Sequence, residues 1–161
     1  MIKIKFKKMR KDAEIPKRAT SLSVGFDLCA FWDEKDKNKE ATSVVIGRGE
    51  TVKIGTGIAI GELYDEFGSQ FCSYGAFVFA RSGLATRQGL APANKVGVID
   101  MDYRGEIIVA LHNHSNENQT ISRGDRIAQL VFMPVILPEF IESDSLDDTE
   151  RGEGGFGSTG R

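Results

Sequence analysis

The chain has 161 residues, enough for one domain with its own core. Its residues are 40% hydrophobic and 27% charged, and a net charge of -2 excludes a general electrostatic attraction for nucleic acid, so any polyanion must be held by locally placed Arg and Lys. No apolar run reaches roughly 18 residues, and Met1-Ile2-Lys3-Ile4-Lys5 alternates instead of forming an apolar signal block, so the chain is expected to be cytoplasmic with no membrane partner.

Strand signals dominate. Ile2, Ile4 and Phe6 alternate with Lys3, Lys5 and Lys7, the pattern of a half-buried strand with a charged outer face. Val24-Gly25-Phe26-Asp27-Leu28 sets one acid in an apolar context, where a turn is the default role. Phe31 to Ser43 is polar and lysine-rich and reads as an extended, solvated loop. Val44-Val45-Ile46, Val52-Lys53-Ile54, Ile58-Ala59-Ile60 and Phe77-Val78-Phe79 are short β-rich runs between Gly-containing turns. Gly61 to Gly75 reads as a second long connection, with Glu62 to Glu66 a solvated acidic loop. Cys29 and Cys72 belong to no CxxC pair, so zinc is not indicated and two reduced thiols are expected over one disulfide.

Ala80-Arg81-Ser82-Gly83-Leu84-Ala85 falls where a strand meets the one persuasive helix, which starts near Ser82 as N-cap and stops by Gly89. Arginine, hydroxyl and glycine there form either an anion cradle or a capped helix with a surface arginine. Gly97 to Glu106 reads as a β-hairpin, with Val98, Asp100 and Asp102 on one side and Ile99, Met101 and Tyr103 on the other. Its aspartates are either turn residues or water-orienting bases, and Tyr103 is a candidate platform for a sugar ring.

Strand signals continue through Glu106 to Leu111, Ile127 to Phe132 and, before Pro138, Val135-Ile136-Leu137. His112 and His114 share one side of a strand, but no acid or cysteine stands at ligand spacing, so a metal pair is not expected. Arg123-Gly124-Asp125-Arg126 leads into an apolar strand whose odd member, Gln129, either faces outward or is an amide in need of partners. From Glu142 the chain turns acidic and then glycine-rich to Arg161, a tail able to bury little. In it, Phe156 is either a linker residue or an aromatic that stacks on a planar base. The whole reads as an all-β sandwich or barrel over residues 1–141, followed by a tail over 142–161.

In their order these constellations resemble the five motifs of the trimeric dUTPase family, spanning nearly the whole chain: residues 24–28, 80–85, Asn94 through Glu106, 123–130 and 151–160. The match departs at Ala80, where the family usually has proline, and at Lys95-Val96, where a small or Pro-containing pair is common. The resemblance implies a distorted jelly roll with one short helix and a flexible Gly-rich C-terminal arm. It implies a homotrimer with active sites shared between subunits, and Mg²⁺ as cofactor. The activity implied is hydrolysis of the α–β phosphoanhydride of dUTP to dUMP and pyrophosphate, limiting uracil in DNA and supplying dUMP for dTMP synthesis.

Residue roles follow from the same resemblance. Asp100 would orient the water that attacks the α-phosphorus. Tyr103 would pack on deoxyribose and exclude a 2′-hydroxyl, while Asn94, Gly97, Val98, Ile99 and Ile108 would surround uracil. Arg81, Ser82 and Gly83 would bind phosphates, with Gln129 near the α-phosphate or the water. Asp27 would hold hydrated Mg²⁺ through water. In the arm, Arg151 would reach the terminal phosphate, Phe156 would cover the base, and Gly157, Ser158 and Thr159 would complete the substrate contacts. A dCTP deaminase shares this fold but would need a carboxylate beside the cytosine amino group. A non-catalytic binder using the loops at 31–43 and 61–75 is the alternative from another class.

Overall fold

A computed structural model describes residues 2–32, 42–64, 67 and 74–155. Among them the strands are β1 (Lys3–Lys8), β2 (Phe26–Cys29), β3 (Ser43–Ile46), β4 (Thr51–Gly55), β5 (Ile58–Tyr64) and β6 (Tyr74–Phe79). The helix α1 (Ser82–Gln88) follows, then β7 (Leu90–Pro92), β8 (Gly97–Ile99), β9 (Ile108–Asn113), β10 (Gln119–Ser122) and β11 (Arg126–Pro134). Four open antiparallel sheets result, in the orders β2-β11-β6-β8, β4-β9-β7, β1-β5 and β10-β3. This is the expected all-β architecture with one short helix.

Alternation explains most of the core. In β9, Val109, Leu111 and Asn113 are buried while Ile108, Ala110 and His112 face outward. Leu111, Ile46, Ile121 and Ile127 lie at 0–1% exposure, each side chain worth about 1.5–3 kcal/mol of burial. Among the described residues the one buried side-chain amide, Asn113, is fully bonded: Nδ2 donates to the Ile46 and Glu117 carbonyls, and Oδ1 accepts from the Ser115 amide and hydroxyl. That clasp ties β9 to β3 and to the turn before β10.

Several expectations need correction. β1 is barely half-buried: Ile4 alone is sheltered, and a β-bulge between Ile4 and Phe6 breaks the alternation. Phe31 and Trp32 are core residues, not loop, because Phe31 bridges to Gly55 at the end of β4. Gly61 to Tyr64 continues β5, and Glu62 is a strand residue 3.6 Å from Lys5 Nζ, so no acidic loop begins there. Residues 33–41, 65–66 and 68–73, with Cys72, lie outside the described residues. Val135-Ile136-Leu137 forms no strand: β11 ends at Pro134, and Ile136 and Leu137 are exposed. Ser82 is the first helical residue and not the N-cap, because Arg81 leaves β6 still extended (φ -85, ψ 126). Gly89 ends the helix as expected, in the left-handed conformation (φ 67) that glycine tolerates. From Val135 to Gly155 the chain has no strand or helix. No helix among the described residues is long and apolar enough to cross a membrane.

Candidate active site

The segment from Gly97 to Ile107 joins two sheets. β8 pairs with β6, whereas β9 pairs with β4 and β7, so the expected hairpin ladder does not form. A cleft of about 220 Å³ opens between the two strands. Val98, Ile108 and Tyr103 line it while remaining 66%, 52% and 43% exposed, apolar surface free to meet a planar ligand. Asn94, Gly97, Ile99 and Asp100 line it too. Asn94 sits in a turn whose next residue, Lys95, holds φ 63.

Tyr103 was expected on the opposite side from Val98 and Asp100, yet all three line one cleft. Strand alternation stops at Ile99, and the turn closed by the Tyr103 amide on the Asp100 carbonyl (3.1 Å) redirects the chain. Arg104 Nη1 holds the same turn through the carbonyls of Met101 (2.7 Å) and Tyr103 (3.0 Å). The Tyr103 hydroxyl donates to the Glu106 carbonyl at 2.9 Å. The ring lies so close over Gly105 that a Cβ there would meet its hydroxyl oxygen and Cζ.

A second cluster is built across β2, β11 and β6. Asp27 pairs with Gln129 across β2 and β11, and Gln129 pairs with Phe79 across β11 and β6. Asp27 is therefore a strand residue and not a turn residue. Its Oδ1 accepts from Arg81 Nε at 2.9 Å and its Oδ2 from Arg126 Nη1 at 3.1 Å, with 19% of the side chain exposed. Arg81 Nη1 also donates to the Arg126 carbonyl at 2.8 Å. Gln129 is half-buried, and its Nε2 donates to the Ala80 carbonyl at 2.8 Å. Ser82 and Gly83 are exposed in the first turn of α1, which has no capping side chain and no acid. Two residues beyond Asp27, burial and then the nearby Glu14 carboxylate push the Cys29 thiol up to about 11, so it is no nucleophile at neutral pH.

A family model described as dUTPase matches residues 68–160. A deoxyuridine 5'-triphosphate nucleotidohydrolase of Desulfitobacterium hafniense is 50% identical over 161 residues, covering 99% of this chain and 97% of that protein. The chain belongs to the dUTPase family. The Nautilia profundicola protein of the same description is 46% identical over 160 residues, covering 99% of this chain and 100% of its own. A Staphylococcus bacteriophage 80alpha dUTPase variant, solved with dUpNHpp, shares the fold with a TM-score of 0.79 at 24% identity and 99% coverage of both chains.

The dUTPase-family motifs thus occupy separate places in one chain. Asp100, Tyr103 and the residues around Val98 share the cleft, whereas Arg81, Ser82, Gly83 and Gln129 do not line it. Arg151 joins neither cluster; its Nε donates to the Gly154 carbonyl at 2.8 Å, within the tail's own turn. Phe156, Gly157, Ser158 and Thr159 lie outside the described residues. Arg126, Gly105 and Glu106 were not singled out from the sequence. Arg126 stands in the same motif as Gln129, which was the available signal. His112 and His114 do share a side, with ring centroids 4.4 Å apart, and His112 Nδ1 meets the Thr51 hydroxyl at 2.8 Å. No group of three or more metal-ligating side chains occurs among the described residues.

Proposed function

We propose that this dUTPase-family chain hydrolyses dUTP to dUMP and pyrophosphate, limiting uracil in DNA and supplying dUMP for dTMP synthesis. The observation that carries this reading is the cleft in which an exposed carboxylate, Asp100, stands beside a pinned aromatic ring, Tyr103. Uracil lies between the strands, met by backbone groups around Val98, Ile99 and Ile108, with Asn94 and Gly97 at the turn. Tyr103 packs on deoxyribose where a 2′-hydroxyl would collide. Asp100 aligns a water whose oxygen attacks the α-phosphorus as the bridging bond to the β-phosphate breaks. Displacement at phosphorus proceeds through a loose transition state, so aligning water and stabilising charge matter more than base strength.

The phosphates fall to Arg81, Ser82, Gly83 and Gln129. Asp27 fixes the Arg81 guanidinium through Nε, leaving Nη2 to face an anion. Asp27 is the one carboxylate of this cluster, so Mg²⁺ held there would take its ligands chiefly from triphosphate oxygens and water. When bound, the ion neutralises charge on the triphosphate. Arg151 reaches the terminal phosphate once the 142–161 arm closes, with Phe156 over the base and Gly157, Ser158 and Thr159 beside it.

A homotrimer with shared sites fits two observations. The cleft and the Asp27 cluster do not merge within one chain, and Ile136, Leu137, Phe140 and Ile141 lie exposed in close succession after β11. The test is product analysis with Mg²⁺ and dUTP, UTP, dTTP and dCTP in separate reactions. The expected result is dUMP and pyrophosphate in equal amounts from dUTP alone. Ammonia from dCTP at a comparable rate would overturn the assignment in favour of a deaminase.

A further inference from the structure

The loop that carries Tyr103 is fastened to a turn about fifty residues away. Glu106 Oε1 accepts the Gly57 amide at 2.7 Å across a sequence separation of 49. Next to it, the Ile107 carbonyl accepts both the Thr56 amide (3.2 Å) and the Thr56 hydroxyl (2.8 Å), and the Ile107 amide donates to the Ile58 carbonyl (2.8 Å). Thr56 and Ile107 are each 2% exposed, so these bonds sit where water cannot replace them. The carboxylate lies so close to Gly55 that a Cβ there would meet it, and Gly57 holds φ 68 to aim its amide. The Glu106 carbonyl then accepts the Tyr103 hydroxyl. One residue therefore joins the β4–β5 turn, through its side chain, to the aromatic wall of the cleft, through its backbone.

We infer that Glu106 is a positioning residue for sugar discrimination, its carboxylate bond to the Gly57 amide setting the height of the Tyr103 ring over the nucleoside. This rests on the reading of Tyr103 as the wall against deoxyribose. A ring free to move by an ångström would admit a 2′-hydroxyl, because selection by a wall requires the wall to be stiff. Glutamine keeps an oxygen at the same position and should serve; alanine should not.

The test compares the full chain with Glu106→Ala, Glu106→Gln, Glu106→Asp and Tyr103→Ala in steady-state kinetics on dUTP and on UTP. Glu106→Ala should raise KM for dUTP and lower the dUTP-over-UTP preference in kcat/KM by about tenfold, the size of one lost hydrogen bond, with a smaller change in kcat. Glu106→Gln should restore both. Glu106→Asp, one methylene shorter, should fall between and is decisive if the alanine variant does not fold. A preference unchanged in Glu106→Ala or, if that variant does not fold, in Glu106→Asp overturns the inference, as does a glutamine variant as defective as alanine. Tyr103→Ala separates the two levels. Loss of preference there with none in the Glu106 variants refutes the clamp alone, whereas retained preference in Tyr103→Ala refutes the reading on which it rests.

Discussion

Asp27 shows how this chain keeps a charge half-buried: each carboxylate oxygen meets a different guanidinium, Arg81 on one side and Arg126 on the other. Removing the acid would leave two cations facing each other, so it orders the cluster as well as any ligand. Its neighbour Cys29 illustrates the opposite case, a thiol held neutral by burial and by Glu14. The folded chain keeps that proton to about 11, against an ordinary value of 9.0. Cys29 therefore leaves stability unchanged below about pH 9 and lowers it as pH rises from there towards about 11. Urea midpoints measured across that interval should fall more steeply for the wild type than for Cys29→Ala, and parallel slopes would refute the shift. Asp27 itself could be suspected from its apolar flanks, whereas for Arg126 the sequence offered only its place in the same motif as Gln129, not its orientation. A β-bulge between Arg126 and Ala128 shifts the phase of β11, bringing Arg126 to the side of Gln129 against simple alternation.

Strands with local alternation were legible as elements, and so was the helix ended by Gly89. The apolar positions of β3 follow directly from its sequence, whereas β9, expected over Glu106 to Leu111, begins at Ile108 because Glu106 and Ile107 bond to the β4–β5 turn. Pairing was not legible. β8 and β9 stand close in sequence yet join different sheets, because β9 finds its partners in β4 and β7, and no local pattern records that choice. Val135-Ile136-Leu137 has strand composition but no partner strand among the described residues, and composition without a partner makes no strand. The tail after residue 141 is exposed at every described position except Gly154, which is partly covered, so the body does not depend on it for burial. Truncation before Arg151 should therefore lower kcat/KM for dUTP by at least about tenfold, the worth of a lost charge-assisted contact, while thermal midpoints stay within a few degrees. A truncated chain with full turnover, or one that unfolds, would contradict the separation of arm and body.

At the scale of the whole molecule, the single chain does not gather all the residues that the ordered motifs assign to one site. The Asp100 cleft and the Arg81 cluster flank β6 without merging, the separation that the proposed trimer with shared sites would bridge. Subunit mixing tests it. Asp100→Asn and Arg81→Ala chains, each inactive alone, should on random reassembly regain about a quarter of the wild-type sites if the two residues come from different subunits. No recovery would mean that each chain builds its own site. The most direct measurement on the central claim is dUTP hydrolysis by the wild type beside Asp100→Asn at equal concentration with Mg²⁺. The wild type should release pyrophosphate about 10²–10⁴-fold faster, the usual loss when a water-orienting base is removed. Equal, near-zero rates for the two proteins would contradict it and leave a nucleotide-binding protein without catalysis.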